Sequence, residues 1–188
     1  MLPFDAEVLA SFFTLYNRAV WPAQILAVVL ALAALWLCLS PRRGGARVPG
    51  LLLAAGWLWC GAVFFLLHFA SLDFMAPVYG WVFILQGVLL LWSLGWRRGV
   101  LRFRGGAFGW LGLALAVFAL CGLPALSALT EAGWQSARVV GLAPGPTAVF
   151  SLGLLLMREG RPPWHLLVIP LLWIGVAGAT AWALYVPG

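Results

Sequence analysis

The chain has no lysine and only five acidic residues among 188, so all eleven of its basic side chains are arginine. Without lysine there is no Schiff base to retinal or to a carbonyl ligand. Charged residues make up 9% of the chain against 64% hydrophobic, which leaves too little polar surface to solvate a globule in water and argues against a soluble domain. Cysteine is scarce as well. Cys38, Cys60 and Cys121 lie in separate apolar runs with no CxxC or CxxH spacing and read as small core residues, so no metal site and no cofactor is expected. A basic leader is also missing: Asp5 and Glu7 stand where a signal peptide carries positive charge, and the first residues are expected to stay in the mature protein.

What the chain does have is a regular alternation of long apolar runs with arginine. Arg42, Arg43 and Arg47 fill one break, Arg97, Arg98, Arg102 and Arg104 the next, and Arg158 and Arg161 the third. About 20 apolar residues span the roughly 30 Å hydrocarbon core of a bilayer, and short arginine-rich loops stay on the cytoplasmic side. The pattern predicts an all-α membrane bundle of six spans, at about 20–40, 49–70, 74–96, 107–129, 139–157 and 163–186, in one domain covering 1–188. Both termini then lie outside, as suits a multi-pass protein of a bacterial cytoplasmic membrane. The sequence pI near 10.3 is read as topology and not as a nucleic-acid footprint, because the arginines sit at span ends and not along one face. Asp5, Glu7, Asp73 and Glu131 share the outer side with Arg18 and Arg138, which makes it the chemically richer face.

Residues 3–18 read as a short amphipathic helix on the outer interface, with Phe4, Val8, Phe12 and Leu15 at helical spacing. Trp21, Trp96, Trp110, Trp134 and Trp164 fall at span ends and read as interfacial anchors, whereas Trp57 and Trp59 lie deeper, where core packing competes with an aromatic ligand box. A Cys-Gly pair recurs at Cys60-Gly61 and Cys121-Gly122, too little to argue an internal repeat.

Polar residues in or beside the spans are the candidate site, because an unpaired polar group in hydrocarbon is costly. Asn17, Trp21 and Gln24 at i, i+4 and i+7 would share one helical face, flanked by Tyr16 and Arg18, against the plainer reading that Asn17 and Gln24 bond across helices and hold the packing. His68, a few residues from Asp73, is the best candidate for proton chemistry, against the plainer reading of an interfacial histidine bonded to a carbonyl. His165 falls at the opposite membrane face, which argues against a shared metal or haem. Gln86, on the side of Tyr79, favours an interhelical hydrogen bond over a lined cavity. In the fifth span Ala143-Pro144-Gly145-Pro146-Thr147 should break the helix and restart it as a half-helix, its first amides aimed at whatever lies there; the competing reading is an outer loop before Pro144 with a short, tilted helix beneath it.

The motifs Tyr16-Asn17-Arg18-Ala19-Val20-Trp21-Pro22-Ala23-Gln24, Gly141-Leu142-Ala143-Pro144-Gly145-Pro146-Thr147 and Ile169-Pro170-Leu171-Leu172-Trp173 together resemble an uncharacterised family of small bacterial integral-membrane proteins, a domain of unknown function. The resemblance runs over nearly the whole chain and implies membrane architecture, not an activity. In that family the proline segment often reads Ala-Pro-Cys-Pro-Thr; Gly145 stands here in place of the cysteine, which weakens a thiol or soft-metal role. Three functions are open: binding or passage of a small solute or ion through an outward-facing polar vestibule formed by Tyr16, Asn17, Trp21, Gln24, His68, Gln86, Pro144, Pro146 and Thr147; an accessory or scaffold subunit of a homo-oligomer or larger membrane complex; and an intramembrane enzyme using His68 with Asp73 or Glu131. No nucleophile-base motif or phosphate loop supports the last.

Overall fold

Buried backbone groups must be paired, a helix pairs them within its own run, and helix is the one regular element found among the described residues. The computed structural model describes residues 6–40, 47–96, 101–103, 105–130, 133–158 and 163–185. Arg42, Arg43, Arg97, Arg98, Arg104 and Arg161, with Asp5, Glu131 and Glu159, lie outside them. In chain order the helices are α1 Ala6–Ala19, α2 Ala23–Leu39, α3 Val48–Ser71, α4 Ala76–Leu94, α5 Ala107–Leu129, α6 Pro144–Leu156 and α7 Trp164–Tyr185. Proline marks several starts: Pro49, Pro77 and Pro144 stand in the first turns of α3, α4 and α6, where an amide would be unpaired anyway.

Four of these helices, α3, α4, α5 and α7, are long and apolar enough to cross a membrane, and the count is five if α1 and α2, bent by 90° at their junction, make one span. They coincide with the expected stretches 49–70, 74–96, 107–129 and 163–186. The other two expectations come out differently. In the first, α2 has 17 residues and meets α1 at the elbow. In the fifth, the prolines stand in the opening turns of α6, and residues 139–143 before them form no helix. Proline fits a helix start but not its interior, so the expected break is an N-terminus.

At 1.5 Å per residue α6 is only about 20 Å long. It is nonetheless the central helix: nine of its 13 residues are buried, among them Thr147, Phe150, Ser151 and Gly153. It packs on α3, α5 and α7. Two sets of aromatic contacts, joined through Phe65, tie other helices together. Trp57, Phe65, Tyr79, Phe83 and Trp173 join α3, α4 and α7, the closest pair being Trp57 and Phe83 with centroids 4.4 Å apart. Phe12, Phe13 and Tyr16 of α1 meet Phe64 and Phe69 of α3.

Candidate functional site

Residues 133–143 set the problem that the site solves. A single 3-10 turn, Gly133–Ser136, leads into a stretch without helix that turns at Gly141, whose φ of 87° suits glycine. Such backbone needs partners from elsewhere. From α1, the Asn17 side-chain amide donates to the carbonyls of Gln135 (2.8 Å) and Ala137 (3.0 Å), and the Tyr16 hydroxyl donates to that of Leu142 (3.0 Å). Arg18 donates to the Gln135 side-chain oxygen at 2.9 Å. From α5, the Ser127 hydroxyl accepts the Arg138 amide, and the Arg138 guanidinium lies 4.5 Å from the Phe13 ring centre.

The first turn of α6 closes the segment from below. Thr147 Oγ1 accepts the Gly141 amide at 2.8 Å and donates to the Ala143 carbonyl at 2.6 Å, so one hydroxyl pins both sides of the turn. Cys60 Sγ stands 3.5 Å from Thr147 Oγ1 and 3.7 Å from the Gly141 carbonyl. One turn on, Ser151 donates to the Thr147 carbonyl and accepts the indole N–H of Trp57, both at 2.7 Å. The expectation of a helix end offering several unpaired amides meets a simple obstacle: Pro144 and Pro146 have none, and the Thr147 amide is bonded to the Ala143 carbonyl.

Against this scaffold lies a cleft of about 140 Å³ between α2, α3, α6 and residues 140–142. Ala23, Ala27, Ala31 and Ala34 form its α2 wall, Gly56 and Trp59 its α3 wall, with Leu26 and Leu30 exposed beside it. The bordering polar atoms are already engaged: Gly141 and Thr147 as above, the Leu142 carbonyl by Tyr16, and the Trp59 indole N–H by the Tyr16 hydroxyl at 3.0 Å.

Of the predicted residues, Tyr16, Asn17, Pro144, Pro146 and Thr147 converge on this segment. Gln24 joins them by donating to the Asn17 carbonyl at 2.6 Å, at the end of α1. Trp21 does not: α1 ends at Ala19, α2 leaves it at 90°, and Trp21 is 65% exposed, so the expected shared face is interrupted. His68 adjoins through the Tyr16 ring, 5.2 Å between centroids, and its Nδ1 is 2.9 Å from the Val63 carbonyl. Asp73 accepts the Met75 amide at the start of α4. Gln86 stands apart, donating to the Leu166 carbonyl of α7 at 2.9 Å. Near the C-terminal end of α4, Ser93 meets His165 Nε2 at 3.1 Å. Sequence reasoning missed the bonded roles of Ser151 and Cys60 and the alanine wall of α2; the recurrence of Ala23, Ala27, Ala31 and Ala34 at helical spacing was the available signal. Among the described residues no group of three or more His, Cys, Asp or Glu could hold a metal ion.

A protein-family model described as a family of unknown function, DUF6064, matches residues 6–188, in line with the motif resemblance. No curated protein and no solved structure matches the chain.

Proposed function

The chain belongs to the DUF6064 family, whose function is unknown, and from its own geometry we propose that it is an integral membrane protein that binds a small apolar molecule, a lipid hydrocarbon chain, in the cleft between α2, α3 and α6. The observation that carries this reading is the state of the cleft wall: its bordering polar atoms are spent on one another, leaving carbon to face an occupant. A polar solute or ion would give up water bonds there without replacement, at a cost of several kcal/mol. The volume is close to that of cavities, about 150 Å³, that accept benzene-sized apolar ligands. In the membrane this reading supposes, the arginine loops face a bacterial cytoplasm, both termini face outward, α1 lies along the outer interface, α2 supplies the first of six crossings, and α6 with residues 139–143 supplies the fifth. Irregular backbone at that depth requires shielding by protein, and α1, α3 and α5 supply bonding partners for it.

Photolabelling in phosphatidylcholine vesicles with a diazirine-bearing fatty acid tests the proposal. Label should concentrate on cleft residues, and Ala27→Phe, which fills the cleft from the α2 wall, should lower it about tenfold, equivalent to about 1.4 kcal/mol of lost affinity. Val29→Phe, on the exposed side of α2, should leave it unchanged. Label spread evenly over exposed helices and indifferent to Ala27→Phe would sink the reading.

A second reading, an accessory subunit of a larger assembly, draws support from α7, where Gly175 and Gly178 face open space among the described residues and would admit a close helix partner. Isolation from native membranes as a lone monomer would count against it.

A further inference from the structure

Gln86 is fully buried in α4, yet only half of its amide is used. The used half has a clear cause. Pro170 lies inside α7 and has no N–H to offer the carbonyl four residues earlier, which is that of Leu166. Gln86 Nε2 donates to that same carbonyl at 2.9 Å, so a side chain of α4 replaces the bond that α7 lacks. The other half, Oε1, is buried without a partner.

A complementary group lies in the same seam. Trp173 Nε1, a donor, is likewise buried without a partner. Leu166, Pro170 and Trp173 fall at i, i+4 and i+7, one face of α7. The Trp173 ring packs 5.0 Å from that of Phe83, one turn before Gln86 on α4, and helical side chains lean toward their own N-terminus, for Trp173 the direction of Pro170. The surroundings, Phe65, Tyr79 and Phe83, are aromatic.

We propose that the α4–α7 seam at Pro170 is a binding site for one water molecule, which accepts from the Trp173 indole N–H and donates to Gln86 Oε1. An ion fits poorly, because the two protein groups present opposite polarity; a molecule that both donates and accepts is required. The site hydrates the proline turn and ties α7 to α4 through a bond network independent of the cleft.

Indole-¹⁵N spectra of the full chain in lipid nanodiscs test this, with the Trp173 signal identified by its loss in Trp173→Phe. The expected result is a magnetisation-transfer peak between the Trp173 indole proton and water, together with a displaced Trp173 signal in Gln86→Met. Should Gln86→Met not fold, the water peak in the native protein decides alone. Absence of that peak overturns the proposal, and so does a peak that instead connects Trp173 to the Tyr79 hydroxyl or to lipid. Cleft labelling with the fatty-acid probe is unaffected by either outcome.

Discussion

Gly153→Val should lower the thermal midpoint by roughly 10 °C, the largest loss expected of any single substitution here. A Cβ at Gly153 would lie 2.6 Å from the Gly112 carbonyl oxygen and 2.8 Å from the Ala116 amide nitrogen. The relation is reciprocal, since a Cβ at Gly112 would lie 2.5 Å from the Gly153 carbonyl oxygen. These neighbours are backbone, so no side chain can swing aside; α5 and α6 would have to separate. Overpacking usually costs 1–3 kcal/mol. Because α6 is the central helix, about 3 kcal/mol or more is expected, which for a chain of this length shifts the midpoint by roughly 6–12 °C. Gly145→Ala is the control: nothing lies within 4 Å of the added carbon, and stability should change by less than about 0.5 kcal/mol. Circular dichroism melts in detergent read both. A Gly153→Val protein as stable as the parent would mean that α5 and α6 do not meet backbone to backbone.

That contact was not legible in the sequence, which is dense in glycine and alanine and does not say which small residues meet. The helices themselves were legible, because runs such as 49–70 and 107–129 are too apolar and too long for any other state. The elbow between α1 and α2 escaped a reading that projected Asn17, Trp21 and Gln24 onto one continuous helix. Pro22 was the warning, since the residue before a proline avoids helical geometry. Tyr16, Asn17 and Thr147 were singled out for polarity and for proximity to proline, but their partners lie at Leu142, Gln135, Ala137 and Gly141. For α1 these are separations of more than a hundred residues, which no local pattern encodes. Gln86 was the exception in principle: an interhelical bond was favoured for it, and Pro170 alone points to Leu166 as the carbonyl in need of a donor.

Thr147→Val should cost about 1–3 kcal/mol although it changes the side-chain volume little. The substitution strips the Gly141 amide of its acceptor, in a place that is 1% exposed, while the Ala143 carbonyl keeps the bond from the Thr147 amide. Each buried group left unsatisfied costs about 1–3 kcal/mol. Gly141 has little room to redirect its amide, because Gly56 packs against it: a Cβ on Gly56 would lie 3.1 Å from the Gly141 Cα. Thr147→Ser keeps the hydroxyl and should recover most of the loss, which separates the bonding role from packing. Tyr16→Phe attacks the same segment from the other side by freeing the Leu142 carbonyl and the Trp59 indole, at about 1–3 kcal/mol. If both hydroxyls hold one cooperative segment, the double variant will lose less than the sum of the two, by more than the roughly 0.5 kcal/mol scatter of independent sites. Denaturant melts of the four proteins decide it. Strict additivity would mean that residues 133–143 are held in independent pieces. The cleft wall, built on Gly141 and Leu142, should then loosen with one substitution at a time, whereas a cooperative segment releases it whole, and fatty-acid labelling of Ala27 and its neighbours falls in the same variants that lose stability.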